Sequence, residues 1–188
     1  MLVLAVVGQP CSGKDTLAND LALRGFVHIS SGDMIRTDMV TTGVEQTRAN
    51  THDFAIEARR IKGPHYPANL IFEKISGDTV ISGFRNSAEV NFLKEKFGRH
   101  FVLVAIDAPI ESRYERAKAR GRVGDEISFE QFKALEDIER KGSPETQEVD
   151  KVIAMAQFTI LNTGTKEELL EKANGLIAEL KGGVYDRD

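Results

Sequence analysis

An apolar run, a glycine-bounded turn and a helix-patterned stretch succeed one another at the start of the chain, and this succession restricts the fold more than any other feature of its 188 residues. Leu2–Val7 is continuously apolar and carries β-branched Val3, Val6 and Val7. A strand of that kind is buried on both faces, the condition inside a parallel sheet. Gly8-Gln-Pro-Cys-Ser-Gly13-Lys14 follows and fits G-x-x-x-x-G-K. Leu17, Ala18, Leu21 and Ala22 then recur at helical spacing until Arg24-Gly25 ends the stretch. Glycines let backbone N–H groups turn inward around an anion, and the N-terminus of the next helix adds its dipole. The bare pattern is only moderately specific, but a buried strand before it and an amphipathic helix after it are the context a phosphate loop needs. Gly8, Cys11, Ser12 and Gly13 are therefore read as a backbone cradle for nucleotide phosphates, with Lys14 reaching the β/γ-phosphates. The plain alternative is a glycine-rich turn with a surface lysine.

The rest of the chain repeats the alternation. Strands are predicted at Phe26–Ile29, Thr79–Ser82, His100–Ile106 and Phe158–Leu161. Helices are predicted near Asp33–Val40 and over Arg48–Lys62, the second with Phe54, Ala58 and Ile61 on one face and broken by Gly63-Pro64-His65-Tyr66-Pro67. Asn86 with Glu89, Ser128 with Gln131, and Thr165 with Glu168 have the spacing of capping boxes. Ile110, Tyr114 and Ala117 mark another helix, and Ser143-Pro144 is read as one more helix start, with Pro at the first position. Five strands alternating with helices predict an α/β, three-layer fold: a five-stranded parallel sheet with helices on both faces and ligands at the carboxyl ends of its strands. The length suits one domain. Its core would comprise 1–29, 78–120 and 144–182, with a more polar helical insertion at 30–77 and a separate region at 121–143.

Composition narrows the partners. The 25 Lys+Arg against 29 Asp+Glu leave a formal charge of −4, which argues against a general nucleic-acid binder and leaves small phosphate ligands open. No apolar run approaches the roughly 20 residues of a membrane span. Met1–Val7 is too short and wrongly flanked for a signal peptide. A single cysteine, Cys11, excludes an internal disulfide, and a cytoplasmic setting is the economical reading. The bland reading of Cys11 is a small filler; the sharper one is a thiol activated by the helix N-terminus. His28, His52, His65 and His100 have no metal-like spacing and are read as structural.

One residue departs from the phosphate-loop pattern. Asp15 occupies the place where Ser or Thr usually follows the lysine, and Thr16 comes one place later. A carboxylate there is a strong magnesium ligand. The competing reading is that Asp15 only complements the dipole of the first helical turn.

Several segments carry a family resemblance. His28-Ile-Ser-Ser-Gly-Asp33-Met-Ile-Arg36 resembles the H-I-S-T-G-D-M-L-R signature of adenylate kinases, and Gly83-Phe84-Arg85 resembles their D-G-F-P-R turn. Arg113-Tyr-Glu-Arg116-Ala-Lys-Ala-Arg120-Gly-Arg122 is similar to the helix entering their lid, and Asn162-Thr-Gly164-Thr-Lys to their turn beside adenine. Gly13-Lys-Asp-Thr16, Thr47-Arg-Ala-Asn50, Phe84-Arg-Asn-Ser-Ala-Glu-Val90 and Asn162–Leu169 resemble, in the same order, a group of nucleotide-kinase-like proteins related to dephospho-coenzyme A kinase. This resemblance implies ATP and Mg²⁺ as cofactors, an acceptor-binding insertion at 30–77 and a lid at 121–143. It implies that Arg36 and Arg85 grip the acceptor, with Arg48 and Arg59 as weaker candidates. Arg116 would stack near adenine, Arg120 would reach the phosphates, and Asn162 and Gly164 would border the base. Two features depart from the families: Ser82 stands where both favour Asp, and Asn86 replaces the proline of the adenylate-kinase turn.

Asp33 has two roles under the resemblance, a base on a sugar hydroxyl or a member of the magnesium–water shell; the plain alternative is a helix N-cap. A hydroxyl acceptor loses a proton and gains from a base, whereas a phosphate acceptor is already ionised. The basic run ending at Arg122 is either a solvated helix face or a phosphate clamp, and Arg116 and Arg120 share one face. Three functions follow. The first is an ATP-dependent kinase of a nucleoside or deoxynucleoside monophosphate, with Lys14, Asp33, Arg85 and Arg120 in the catalytic set. The second is transfer to a sugar hydroxyl, as in dephospho-coenzyme A kinase. The third is a nucleotide-binding regulatory module with little turnover. A small nucleotide-type acceptor is expected as partner, with no nucleic acid and no membrane.

Overall fold

The opening apolar run forms β1 (Val3–Val7), buried along its whole length. The computed structural model describes residues 1–121, 127–140 and 148–183, and excludes the side chains of Arg48, Ala49, His52, Ile138 and Glu139. With β2 (Val27–Ser30), β3 (Thr79–Ser82), β4 (Phe101–Asp107) and β5 (Phe158–Leu161), β1 makes a five-stranded sheet in the order β2-β3-β1-β4-β5. Every pairing is parallel, and Val6 lies opposite Ser82 on one side and Val104 on the other.

Strand pleating sends alternate residues of β1 into two cores. Leu2, Leu4 and Val6 pack with Leu17, Ala18 and Leu21 of α1 (Lys14–Leu23) and with Leu169, Ala173 and Ile177 of α9 (Lys166–Lys181). Val3, Ala5 and Val7 pack on the other face with Ala68 and Ile71 of α4 (Tyr66–Phe72), Val90 and Leu93 of α5 (Ser87–Phe97) and Val152 of α8 (Val149–Ala154). Two-sided burial is why β1 and the first six residues of β4 read as continuous apolar runs. The insertion builds a third, smaller core from Ile35 and Met39 of α2 (Ser31–Thr41), Ala58 of α3 (Arg48–Lys62) and Tyr66.

Local capping chemistry is where the sequence places it. Asn86 and Glu89 cap α5 reciprocally, and Thr165 and Glu168 do the same for α9. Ser128 and Gln131 exchange bonds before α7 (Phe129–Arg140). Four details differ. Ala22 is exposed, so only Leu17, Ala18 and Leu21 of α1 face the core. Ile61 is 66% exposed and lies outside the cluster that buries Ala58. Gly63–Pro67 ends α3 but also starts α4, whose first turn tolerates Pro67 because a proline there lacks only an N–H that has no helical acceptor. Leu135, which the spacing Phe129, Phe132, Leu135 and Ile138 predicts to lie on the apolar stripe of α7, is 45% exposed. The Ser143-Pro144 start and residues 122–126 and 141–143 of the expected lid lie outside the described residues, and α7 is the part of that region the structure describes.

Candidate functional site

The loop Gly8–Gly13 leaves the carboxyl end of β1 in a conformation that its glycines permit. Gly8 has φ 148°, and a Cβ there would lie 2.2 Å from the Ile106 carbonyl oxygen. Gly13 has φ 111°, and a Cβ there would lie 2.5 Å from Asn162 Nδ2. Between them Cys11, at φ 59°, is the one non-glycine with positive φ among the described residues. Such a run of conformations is what turns successive N–H groups to one side. Gly13 caps α1 without a side-chain acceptor, so the first N–H groups of the helix lack the usual partner. The Ser12 hydroxyl is buried and has no hydrogen-bond partner either. The Ser12 N–H is used within the loop, donating to the Gln9 carbonyl at 3.2 Å, so the Ser12 hydroxyl and the first N–H groups of α1 are the donors an anion would meet.

Lys14 shows the complementary charge. Its Nζ donates to the Gln9 carbonyl oxygen at 2.8 Å. Burial pushes its pKa down to about 8; the nearby charges of Arg85 and Arg113 push the same way, against Asp15 and Cys11. Desolvation therefore sets the direction of the shift, and the cations beside Lys14 are balanced by Asp15 and Cys11.

Beside the loop lies a cavity of about 320 Å³. It is lined by Cys11, Gly13, Lys14, Asp15, Thr16, Arg116, Arg120, Asn162 and Gly164, all expected from the sequence, and by Lys166 and Leu169, which lie in the resembled Asn162–Leu169 segment but take no role from the resemblance. Asn162 and Arg116 are anchored to the loop itself. Asn162 Nδ2 donates to the Ser12 carbonyl at 2.7 Å. Arg116, from α6 (Ile110–Arg120), donates to the Asn162 carbonyl at 3.1 Å, to its Oδ1 at 3.3 Å and to the Cys11 carbonyl at 3.4 Å.

The second half of the site starts at the end of β3. Gly83, at φ 89°, brings the turn before α5 against Ser31 and Gly32 at the start of α2. The Arg85 N–H donates to Glu89 Oε2 at 3.1 Å. The Ser30 hydroxyl, not Asp33, caps α2, leaving the Asp33 carboxylate to pair with Arg36 at the surface. Arg59 is placed elsewhere than expected: it is 7% exposed and paired at 3.0 Å with Glu89, which is fully buried. It joins α3 to α5 instead of facing an acceptor. The Arg48 side chain lies outside the described residues. Ser82, at the position where the resembled families favour Asp, is buried and lies 3.0 Å from His28 Nε2.

Sequence reasoning does not find Arg113 and Glu136, a buried ion pair between α6 and α7. One signal exists, since Glu136 stands seven residues after Phe129 and four after Phe132, on the apolar stripe of its helix. No helix among the described residues is long and apolar enough to cross a membrane.

The chain is similar to known proteins in sequence and in fold. A family model described as an AAA domain matches residues 7–133. A UPF0200/UPF0201 protein of Archaeoglobus fulgidus is 36% identical over 98% of this chain, which spans 57% of that protein's length. A UPF0200 protein of Thermococcus kodakarensis is 32% identical over 95% of this chain and 98% of its own. Among solved structures, a gluconokinase from Sinorhizobium meliloti 1021 superposes with TM-score 0.59 at 15% identity, covering 100% of this chain and 97% of that one. A shikimate kinase from Acinetobacter baumannii in complex with shikimate gives TM-score 0.54 at 20% identity, covering 96% and 95%. The parallel sheet with its phosphate loop is thus the P-loop kinase fold. The chain belongs to the AAA domain family that its residues 7–133 match, and to the UPF0200 proteins.

Proposed function

We propose that this protein transfers a phosphoryl group from ATP to a small nucleotide-type acceptor, most simply a nucleoside or deoxynucleoside monophosphate. The observation that carries this reading is the convergence of a helix N-terminus that no side chain caps, a desolvated Lys14 and the Arg85 charge beside it. Phosphoryl transfer needs positioning and charge neutralisation more than covalent chemistry. The cradle and Lys14 would hold the β/γ-phosphates, and Arg120 would follow the charge on the transferred group. Arg116, Asn162 and Gly164 would border the adenine. Arg36 and Arg85 would grip the acceptor phosphate from α2 and from the turn before α5.

The donor set fits a magnesium ion in the manner usual for that metal. Asp15 is exposed and lines the cavity with Thr16, and among the described residues no group of three acidic, histidine or cysteine side chains forms a protein cage. Magnesium commonly takes one or two carboxylates and completes its shell with water and substrate phosphates. When bound it would neutralise charge on the β- and γ-oxygens. Asp15→Ala is expected to raise the Mg²⁺ concentration needed for half-maximal turnover about tenfold, on the scale of a lost charge-assisted contact. An unchanged magnesium titration would leave Asp15 with the helix dipole alone.

A hydroxyl acceptor is favoured by one observation: Ser30 takes the capping role, so the Asp33 carboxylate stays available as a base. The names of the two structural neighbours, gluconokinase and shikimate kinase, point to acceptors that carry hydroxyls. An acceptor panel with ATP and Mg²⁺, read by mass spectrometry, decides. Nucleoside diphosphate products support the first reading, and a phosphorylated sugar hydroxyl, coenzyme A included, supports the second. No product above solvent ATPase leaves a nucleotide-binding regulatory module. Under either kinase reading Arg85→Ala and Arg120→Ala each lower kcat/KM by about 10²-fold or more. Full activity in Arg85→Ala would remove it from the acceptor site.

A further inference from the structure

The phosphate loop is held from outside by α7, the helix of the region that the resemblance makes a lid. Glu136 of α7 is 3% exposed and Arg113 of α6 is 4% exposed. Arg113 Nη2 donates to Glu136 Oε1 at 2.8 Å, and Nη1 engages the second carboxylate oxygen. The same guanidinium donates from Nε to the Ala108 carbonyl at 2.8 Å and from Nη1 to the Pro10 carbonyl at 3.5 Å. Four residues further along α7, Arg140 Nε donates to both oxygens of Asp150, each at 3.0 Å. Asp150 Oδ1 in turn accepts from Gln9 Nε2 at 3.0 Å. Gln9 is buried, and its own carbonyl accepts from Lys14.

Two polar chains therefore start one helical turn apart on α7 and end on adjacent loop residues. One runs from Glu136 through Arg113 to Pro10; the other runs from Arg140 through Asp150 to Gln9 and Lys14. Stability alone does not require this arrangement. A buried ion pair pays a desolvation cost that well-packed apolar side chains of equal volume avoid, so an apolar pair would dock α7 on α6 equally well. Only a forked, charged donor can bind Glu136, Ala108 and Pro10 together.

We propose that Glu136 and Asp150 are positioning residues for the phosphate loop, acting through Arg113 and Gln9, so that the docking of α7 sets the loop geometry in which nucleotide phosphates are bound. The proposal rests on the loop being the nucleotide site, and the chain holds a reporter that tests the two ideas separately. Cys11 is the only cysteine, follows Pro10 and lines the cavity. Its rate of modification by dithionitrobenzoate reports loop opening without nucleotide.

The variants are Asp150→Asn, at a side chain 43% exposed, and Glu136→Gln; Glu130→Gln, on the exposed side of α7, is the control. Asp150→Asn is expected to label about fivefold faster or more and to weaken ATP binding about tenfold, with the melting temperature within about 2 °C of the parent. Glu136→Gln moves both quantities in the same direction, and Glu130→Gln moves neither. If Glu136→Gln does not fold, Asp150→Asn decides alone. Unchanged labelling in Asp150→Asn, or faster labelling with unchanged ATP affinity, overturns the proposal. Failure of ATP with Mg²⁺ to protect Cys11 in the parent protein overturns the nucleotide reading instead.

Discussion

Lys14→Met makes the ligand-free protein more stable and abolishes its response to ATP. Burial holds the Lys14 pKa near 8 against the ordinary lysine value of 10.5, so at neutral pH the folded state carries a charge it would rather lose. A shift of that size corresponds to a cost on the order of 3 kcal/mol at pH 7. Methionine keeps most of the volume and removes the charge. The Gln9 carbonyl that loses the lysine still accepts from the Ser12 N–H at 3.2 Å. A gain of about 6–12 °C in melting temperature is expected, given roughly 2–4 °C per kcal/mol in a domain of this size. The sign with pH follows from the lowered pKa. Below about 8 the folded protein bears the full cost, and between 8 and 10.5 the unfolded chain binds more protons, so the cost fades. The stability gap between variant and parent is therefore widest near pH 7 and closes by about pH 10.5 in parallel thermal melts. Phosphate oxygens favour the charged lysine, so ATP binding at pH 8–9 takes up protons, and affinity falls as pH rises above 8. Calorimetry in buffers of different ionisation enthalpy measures the uptake. Turnover in Lys14→Met drops about 10³-fold. A variant that is no more stable than the parent at pH 7 would show that the ammonium group is well solvated.

Gly8→Ala carries the largest stability loss. Its Cβ would stand 2.2 Å from the Ile106 carbonyl oxygen and 2.7 Å from Ser12 Oγ, at φ 148°. Ile106 belongs to β4 and pairs with Ile160, so its backbone cannot withdraw without opening the sheet. A loss of about 3 kcal/mol or more is expected from strain and overpacking together, with loss of nucleotide binding. Gly25→Ala is the matched control. It also has positive φ, 90°, but no atom within 4 Å of the added carbon, so only the backbone term of about 1 kcal/mol remains. Urea melts of the two variants separate the clash from the conformational cost; equal losses at both sites would mean that the loop yields.

Features carried by near neighbours in the chain are legible in the sequence. The strand, phosphate loop and helix are consecutive, and so their joint geometry is a local matter. The capping boxes of α5 and α9 span three residues each, and their hydrogen bonds are where that spacing demands. Part of the cavity lining can be read off as well, because Arg116 and Arg120 share one helix face and Asn162 and Gly164 follow the last strand in local patterns.

Pairings across the chain are not legible in this way. Arg59 reads as an acceptor ligand, being a basic residue in a polar insertion. Its partner Glu89 is 30 positions away and belongs equally to a capping box, so nothing in the sequence distinguishes the two uses. Ile61 has the helical spacing of a core residue, but periodicity describes a face and not what covers it.

From the sequence alone come a parallel sheet, a phosphate loop after its first strand and the residue types around it, because strand burial, glycine conformation and helix capping act over a few adjacent residues. Strand order, the burial of Arg59 and the bracing of Gln9 by Asp150, 141 positions distant, are decided only by the tertiary structure. Packing and desolvation depend on which surfaces meet, and chain order does not specify that.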